Sequence, residues 1–143
     1  MAWTSRDITV AEAARYAGLP RASLDVIVSR AKDCEVLFSE KRRHRRWFSQ
    51  RDICVLRIAF ELERAGRSWL MALATAYDHL EHPPDPEALL VAPAVIRRGC
   101  GRPRIISDRD AGRLLFDVSK IVIPIGRICH DIIQKTEADL VAV

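Results

Sequence analysis

The sequence predicts a mostly α fold with a small β wing, followed by a small α+β C-terminal region. Three observations predict it. Two short amphipathic helical segments follow one another between residues 9 and 30, joined by a turn that contains Gly18. A dense basic run, residues 40–51, sits between apolar flanks. Beyond the Pro-rich stretch near residue 84, turn-rich and apolar segments alternate up to a final isoleucine stripe.

Composition narrows the class. A chain of 143 residues with 49% hydrophobic and 29% charged residues can bury a core and reads as globular. Aromatics, at 6%, argue against an aromatic-lined ligand cavity. The longest apolar runs (88–96, with Pro93 inside) fall far short of the roughly 20 residues of a membrane span. The start, Met-Ala-Trp-Thr-Ser-Arg-Asp, carries no apolar signal region, so the expected location is cytoplasmic and nucleoid-associated. Net charge is +4, unevenly spread: residues 1–50 carry ten bases and six acids, 51–90 four and seven, 91–143 nine and six. A basic surface beside an acidic middle suits binding of an anion by one face. Cys34, Cys54, Cys100 and Cys129 are widely spaced, with no C-x-x-C, which fits reduced thiols better than structural zinc.

Thr9-Val10-Ala11-Glu12 has the spacing of a capping box and opens a short helix with Val10, Ala13, Ala14 and Ala17 on one face. Gly18 ends it in the left-handed conformation, and Leu19 plugs the turn. Pro20 starts a second helix to about Arg30, with Leu24, Ile27 and Val28 inward. Helix, Gly-containing turn, helix is the helix-turn-helix pattern. Residues 36–38 and 45–48 are expected to pair as two strands with the basic run as their loop, which makes a wing. Ser49, with Asp52 three residues on, caps a third helix with Ile53, Leu56, Ala59, Phe60 and Leu62 inward, ended by Gly66. Ser68 caps a fourth, with Trp69, Leu70, Leu73, Tyr77 and Leu80 on its apolar face.

Three separated blocks of this stretch resemble a known family: Ile8-Thr-Val-Ala-Glu-Ala-Ala-Arg-Tyr-Ala-Gly-Leu-Pro, Arg46-Trp-Phe-Ser-Gln-Arg-Asp-Ile and Leu62-Glu-Arg-Ala-Gly-Arg-Ser-Trp. Over residues 8–80 the chain is similar to the winged helix-turn-helix of MerR-like regulators and related excisionases. The resemblance implies DNA binding by the second helix and the wing. Val26-Ile27-Val28 stands where the family has paired aromatics, and the wing is unusually basic. Both departures point to backbone contact more than to base reading.

The chain is expected to divide into a DNA-binding domain (1–82), a Pro-rich linker (83–94) and a C-terminal interaction or dimerisation region (95–143). In the last, residues 102–106 and 113–118 read as a hairpin around 107–112, with a single helix as the competing reading. Ser119 is expected to cap a final helix, bent by Pro124, carrying Ile121, Ile125, Ile128 and Ile132 as a dimerisation stripe.

The candidate DNA contacts are Lys41, Arg42, Arg43, His44, Arg45, Arg46 and Arg51 on or beside the wing, with Arg21, Ser23, Ser29 and Arg30 on the second helix. Arg can grip phosphate, or guanine in the major groove. Arg102 and Arg104, within Gly-Cys-Gly-Arg-Pro-Arg, resemble an AT-hook core and are candidate minor-groove contacts; a basic turn is the plainer reading. His79-x-x-His82 supplies two of the three or four ligands zinc needs, so no metal and no cofactor is expected. Without a Gly-rich phosphate loop, a nucleophile elbow or paired carboxylates, the chain does not read as an enzyme. The expectation is a transcriptional regulator binding double-stranded DNA as a homodimer, with a further protein partner open for the C-terminal region. An excisionase-like DNA-bending factor and a module that meets an acidic protein are the alternatives.

Overall fold

Thr9 opens helix α1 (Val10–Ala17) with the reciprocal cap its spacing predicts. The Glu12 N–H donates to Thr9 Oγ1 at 3.3 Å, and the Thr9 N–H donates to the Glu12 carboxylate at 3.4 Å. Gly18 closes the helix at φ 69°, and Leu19 N–H donates to Ala14 O at 3.0 Å, so the last carbonyls are satisfied locally. Arg57 Nη1 donates to Ala17 O at 2.9 Å and places a cation at the negative end of the helix. Helix α2 (Arg21–Arg30) follows Pro20 and buries Leu24, Ile27 and Val28, as their spacing requires.

The computed structural model, a mixed α/β chain, describes residues 3–30, 34, 37–114 and 118–141. It forms two units: the chain up to Arg57 together with the segment from Asp131, and residues 58–130.

In the first unit, strands β1 (Ile8–Thr9), β2 (Glu40–Arg42) and β3 (Arg45–Phe48) make an antiparallel sheet ordered β1-β3-β2. The wing differs from the expectation in one respect. Leu37 and Phe38 lie outside any strand, and Val36 is outside the described residues. The basic run is therefore itself the hairpin rather than the loop of one. Phe38 contributes to the core instead of to a ladder.

Helix α3 (Gln50–Arg64) begins at the predicted cap: the Ser49 N–H donates to Asp52 Oδ2 at 2.8 Å and the Asp52 N–H to Ser49 Oγ at 3.0 Å. Arg6 holds the same carboxylate at 2.9 Å. Ile53, Leu56, Ala59 and Leu62 are buried as expected, while Phe60 is half-buried.

The end of the chain also belongs to this unit, contrary to the expected separate tail of residues 95–143. Gln50 Nε2 donates to Thr136 Oγ1 at 2.7 Å. The Tyr16 hydroxyl and Arg15 Nη2 donate to Asp139 Oδ2 at 2.5 and 2.8 Å. Burial of Tyr16, with the bond to Asp139, raises its phenol to about 12, while Tyr16 and Arg15 hold the Asp139 carboxyl below its ordinary value. The signs are opposite. The tyrosine contribution is full below the ordinary phenol pKa of about 10 and is lost as pH rises from there towards 12. The aspartate contribution is present above the ordinary carboxylate range and is lost on acidification through its lowered pKa. Urea midpoints of the parent should therefore fall between pH 10 and 12 more steeply than those of Tyr16→Phe. Parallel curves would exclude this bond as a contributor.

In the second unit, helix α4 (Trp69–Asp78) starts at Ser68, whose Oγ accepts from the Met71 N–H at 3.4 Å. Trp69, Ala72, Leu73 and Ala76 point inward; Leu70, expected with them, is 70% exposed. The stretch expected as a linker holds β4 (Ala88–Pro93), the central strand of a second antiparallel sheet ordered β5-β4-β6. Strand β5 is Arg104–Ser107, and β6 is Lys120–Ile123 rather than 113–118; residues 115–117 are outside the described set. A 3-10 turn, Asp108–Arg113, follows β5. Helix α5 (Ile125–Val141) starts after Pro124, not at Ser119, so the proline precedes the helix and does not bend it. Among the described residues no helix is long and apolar enough to cross a membrane.

Candidate nucleic-acid interface

Strands β2 and β3 are joined by two residues, Arg43 and His44, both with positive φ (49° and 68°). Two central residues in the left-handed region match the twist of a tight hairpin, but the usual occupants are Asn and Gly. Here the chain spends backbone strain on an arginine and a histidine at the tip, and both side chains are exposed. The register sets Lys41 opposite Arg46 and Arg42 opposite Arg45. Like charges directly opposite one another destabilise a ladder. Residues 40–46 hold five cations and one acid, Glu40. Its base is held by the core: Phe48, opposite Ile8, and Ile8 itself are both buried.

Two of the cations are committed inside the unit. Arg42 donates to the Arg6 carbonyl at 2.5 Å, lies 3.8 Å from Glu40 and 4.0 Å from Asp7, and stacks over Trp47 at 4.8 Å. Arg46 Nη1 donates to Ser39 Oγ at 2.9 Å. Lys41, Arg43 and Arg45 project as exposed side chains.

Along β3, from the hairpin tip inward, lies a cavity of about 390 Å³, lined by Arg21, His44, Arg45, Arg46, Trp47 and the start of α1 (Thr9, Val10, Ala11). Arg21 reaches it because Pro20 places it in the first turn of α2. The first N–H groups of a helix have no intrahelical acceptor, and the helix dipole is positive there. Arg21 and Arg45, with Arg46 held on Ser39 and the N-terminus of α1 already capped by Thr9 and Glu12, leave this concavity positive, which suits an anion such as a backbone phosphate.

The structure therefore brings together Arg21, His44, Arg45 and Arg46 from two separate parts of the sequence. Ser23 is half-buried. Ser29 and Arg30 lie in the last turn of α2, about 13 Å along the helix from Arg21 at 1.5 Å per residue, and do not share the cavity. Arg51 is half-buried in α3, with its N–H donating to the Trp3 carbonyl at 3.0 Å. Thr9, Val10, Ala11 and Trp47 were not among the residues expected at the site; the capping box, which marks a helix N-terminus, was the signal available for the first three.

The other candidates lie elsewhere. Arg102 and Arg104 are exposed in the second unit, after Gly99 and Gly101 at φ 89° and 88°; Arg104 begins β5 rather than lying in a free extended strap. Of the isoleucine stripe, Ile121 is on β6, Ile125 and Ile132 are buried in α5, and Ile128 is half-buried. The chain thus covers most of the stripe itself, and no second copy is required to shield it. His79 Nδ1 donates to Thr75 O at 2.8 Å. Among the described residues no three His, Cys, Asp or Glu side chains gather as a metal site, and all four cysteines are free. No family model and no curated protein matches the sequence.

Proposed function

We propose that the basic hairpin and the α1–α2 pair act together as a DNA-binding surface of the winged helix-turn-helix kind, and that the protein is a transcriptional regulator similar to the MerR-like family. One observation carries the reading. The hairpin keeps two like-charge cross-strand pairs and two strained non-glycine residues on an exposed projection. Such a segment loses local stability and gains most when a polyanion meets it. The cavity beneath takes one phosphate, and the tip follows the duplex beyond it. In a minor groove the exposed arginines gain from its negative potential, which favours A·T-rich sequence without direct base reading.

Salt dependence of DNA binding tests this. Lys41, Arg43 and Arg45 replaced together by Gln remove exposed charges while leaving Arg42 and Arg46 on their internal partners. The log–log slope of affinity against salt should flatten by about 2–3, near 0.9 for each phosphate no longer neutralised. The melting temperature should hold or rise slightly, since Lys41→Gln and Arg45→Gln relieve both like-charge cross-strand pairs and exposed charges otherwise add little to stability. Affinity at low salt equal to the parent's would remove the hairpin from the interface.

A further inference from the structure

A second cavity, of about 350 Å³, lies within residues 58–130 and has a different chemistry. Met71, Ala74, Pro93, Ile96 and Pro103 form its apolar walls, and of the two arginines that line it one is buried. The buried one is Arg67, which follows Gly66 after α3 and is only 6% exposed. Its Nη2 donates to the Pro93 carbonyl at 2.6 Å. Among the described residues this is the one hydrogen bond of the guanidinium, and no carboxylate lies within ion-pair distance of it. Arginine cannot shed its proton, and a buried charge without an opposite partner is strongly unfavourable. The cation is thus placed where a charge inside the cavity, not one on the protein, would complete it.

We infer that this cavity binds a small monocarboxylate with an apolar body, its carboxylate on Arg67. The planar fork of a guanidinium matches a carboxylate, and the remaining walls match an aromatic or branched aliphatic body. Charge selects the monoanion. Arg67 and Arg102 against Asp78, all lining the cavity, leave one formal positive charge. Inorganic phosphate, compact and more highly charged, leaves the apolar walls unfilled and faces Asp78. Arg102, exposed on the lining, adds a second positive charge that draws the anion in. His79 has its Nδ1–H committed to Thr75 O, so its ring is held in place as part of the wall.

The test uses the full chain and no DNA, so it stands apart from the DNA-binding reading. Calorimetry with benzoate and with indole-3-acetate should give a dissociation constant of about 1 mM or tighter for at least one of them. Benzamide, the neutral isostere of benzoate, should bind roughly tenfold more weakly or worse than benzoate, having lost the charge-assisted bond. Phosphate should not compete. Arg67→Gln should erase the preference for benzoate over benzamide. Because Arg67 is buried and its replacement can cost the fold, Ala74→Trp, at an exposed wall position, serves as the second variant. It should melt like the parent and bind neither acid. Failure of both acids to bind, equal binding of benzamide and benzoate, competition by phosphate, or unchanged binding in Ala74→Trp would each overturn the inference.

Discussion

Phe48→Ala is expected to destabilise the first unit by about 3–5 kcal/mol, as truncation of a fully buried phenylalanine does. Phe48 is 0% exposed and ends β3 opposite Ile8, just before the Ser49–Asp52 cap of α3. One side chain therefore seats the hairpin's root and the start of a helix. Its loss should lower the melting temperature by roughly 10 °C and take DNA affinity with it, because β3, which carries Arg45 and Arg46, loses its buried anchor opposite Ile8. Phe48→Leu keeps most of the volume and should lose far less. A Phe48→Ala protein melting with the parent would mean that the hairpin is not anchored through this residue.

What the sequence made legible was local chemistry. The Thr9–Glu12 box, the left-handed Gly18, and the caps at Ser49 and Ser68 each depend on a side chain and a backbone group a few residues apart. Distance along the chain then determines distance in space, and the α1–α2 pair and both later helices follow. The wing's first strand lies later than the apolar residues 36–38 suggest, because hydrophobic alternation is the usual signal of a strand. Glu40, Lys41 and Arg42 are all exposed and carry none. Their pairing is set by the turn at Arg43-His44, whose residues are not those that announce such a turn.

In the second unit, Ile121 and Ile125 are four apart, as on one helix face, yet Pro124 separates a strand from a helix between them. The spacing was a coincidence of two elements. Ala88–Pro93 is a short continuous apolar run of the sort that a central strand shows, but Pro83, Pro84 and Pro86 before it and Pro93 at its end read more strongly as a linker. The basic cavity combines Arg21 with Arg45 and Arg46, more than twenty positions away, and only the fold could join them. The same is true of Arg67 and Arg102.

Gly126→Ala is expected to destabilise the second unit by about 3 kcal/mol or more, against the usual sign of such a change. In an open helix, glycine to alanine gains up to about 1 kcal/mol, because alanine loses less backbone entropy on folding. Gly126 is in the first turn of α5, where the loop before β4 passes directly over it. A Cβ there would lie 2.0 Å from the Asp85 carbonyl oxygen, 2.7 Å from that of Pro86 and 2.8 Å from the Ala88 nitrogen. All three are backbone atoms, so none can turn aside as a flexible side chain would. The loop is also tied: the Ala88 N–H donates to Asp85 O at 3.0 Å, and Ala88 starts β4 in register with Ser107. Relief therefore has to come from moving α5 or from shifting the central strand, and both disturb the core around Leu90, Ile123 and Ile125. Gly112→Ala is the control, since nothing lies within 4 Å of a Cβ added there and its effect should be near zero. Urea melts of the two variants beside the parent decide the matter. If Gly126→Ala melts with or above the parent, α5 does not rest against residues 85–88 as described.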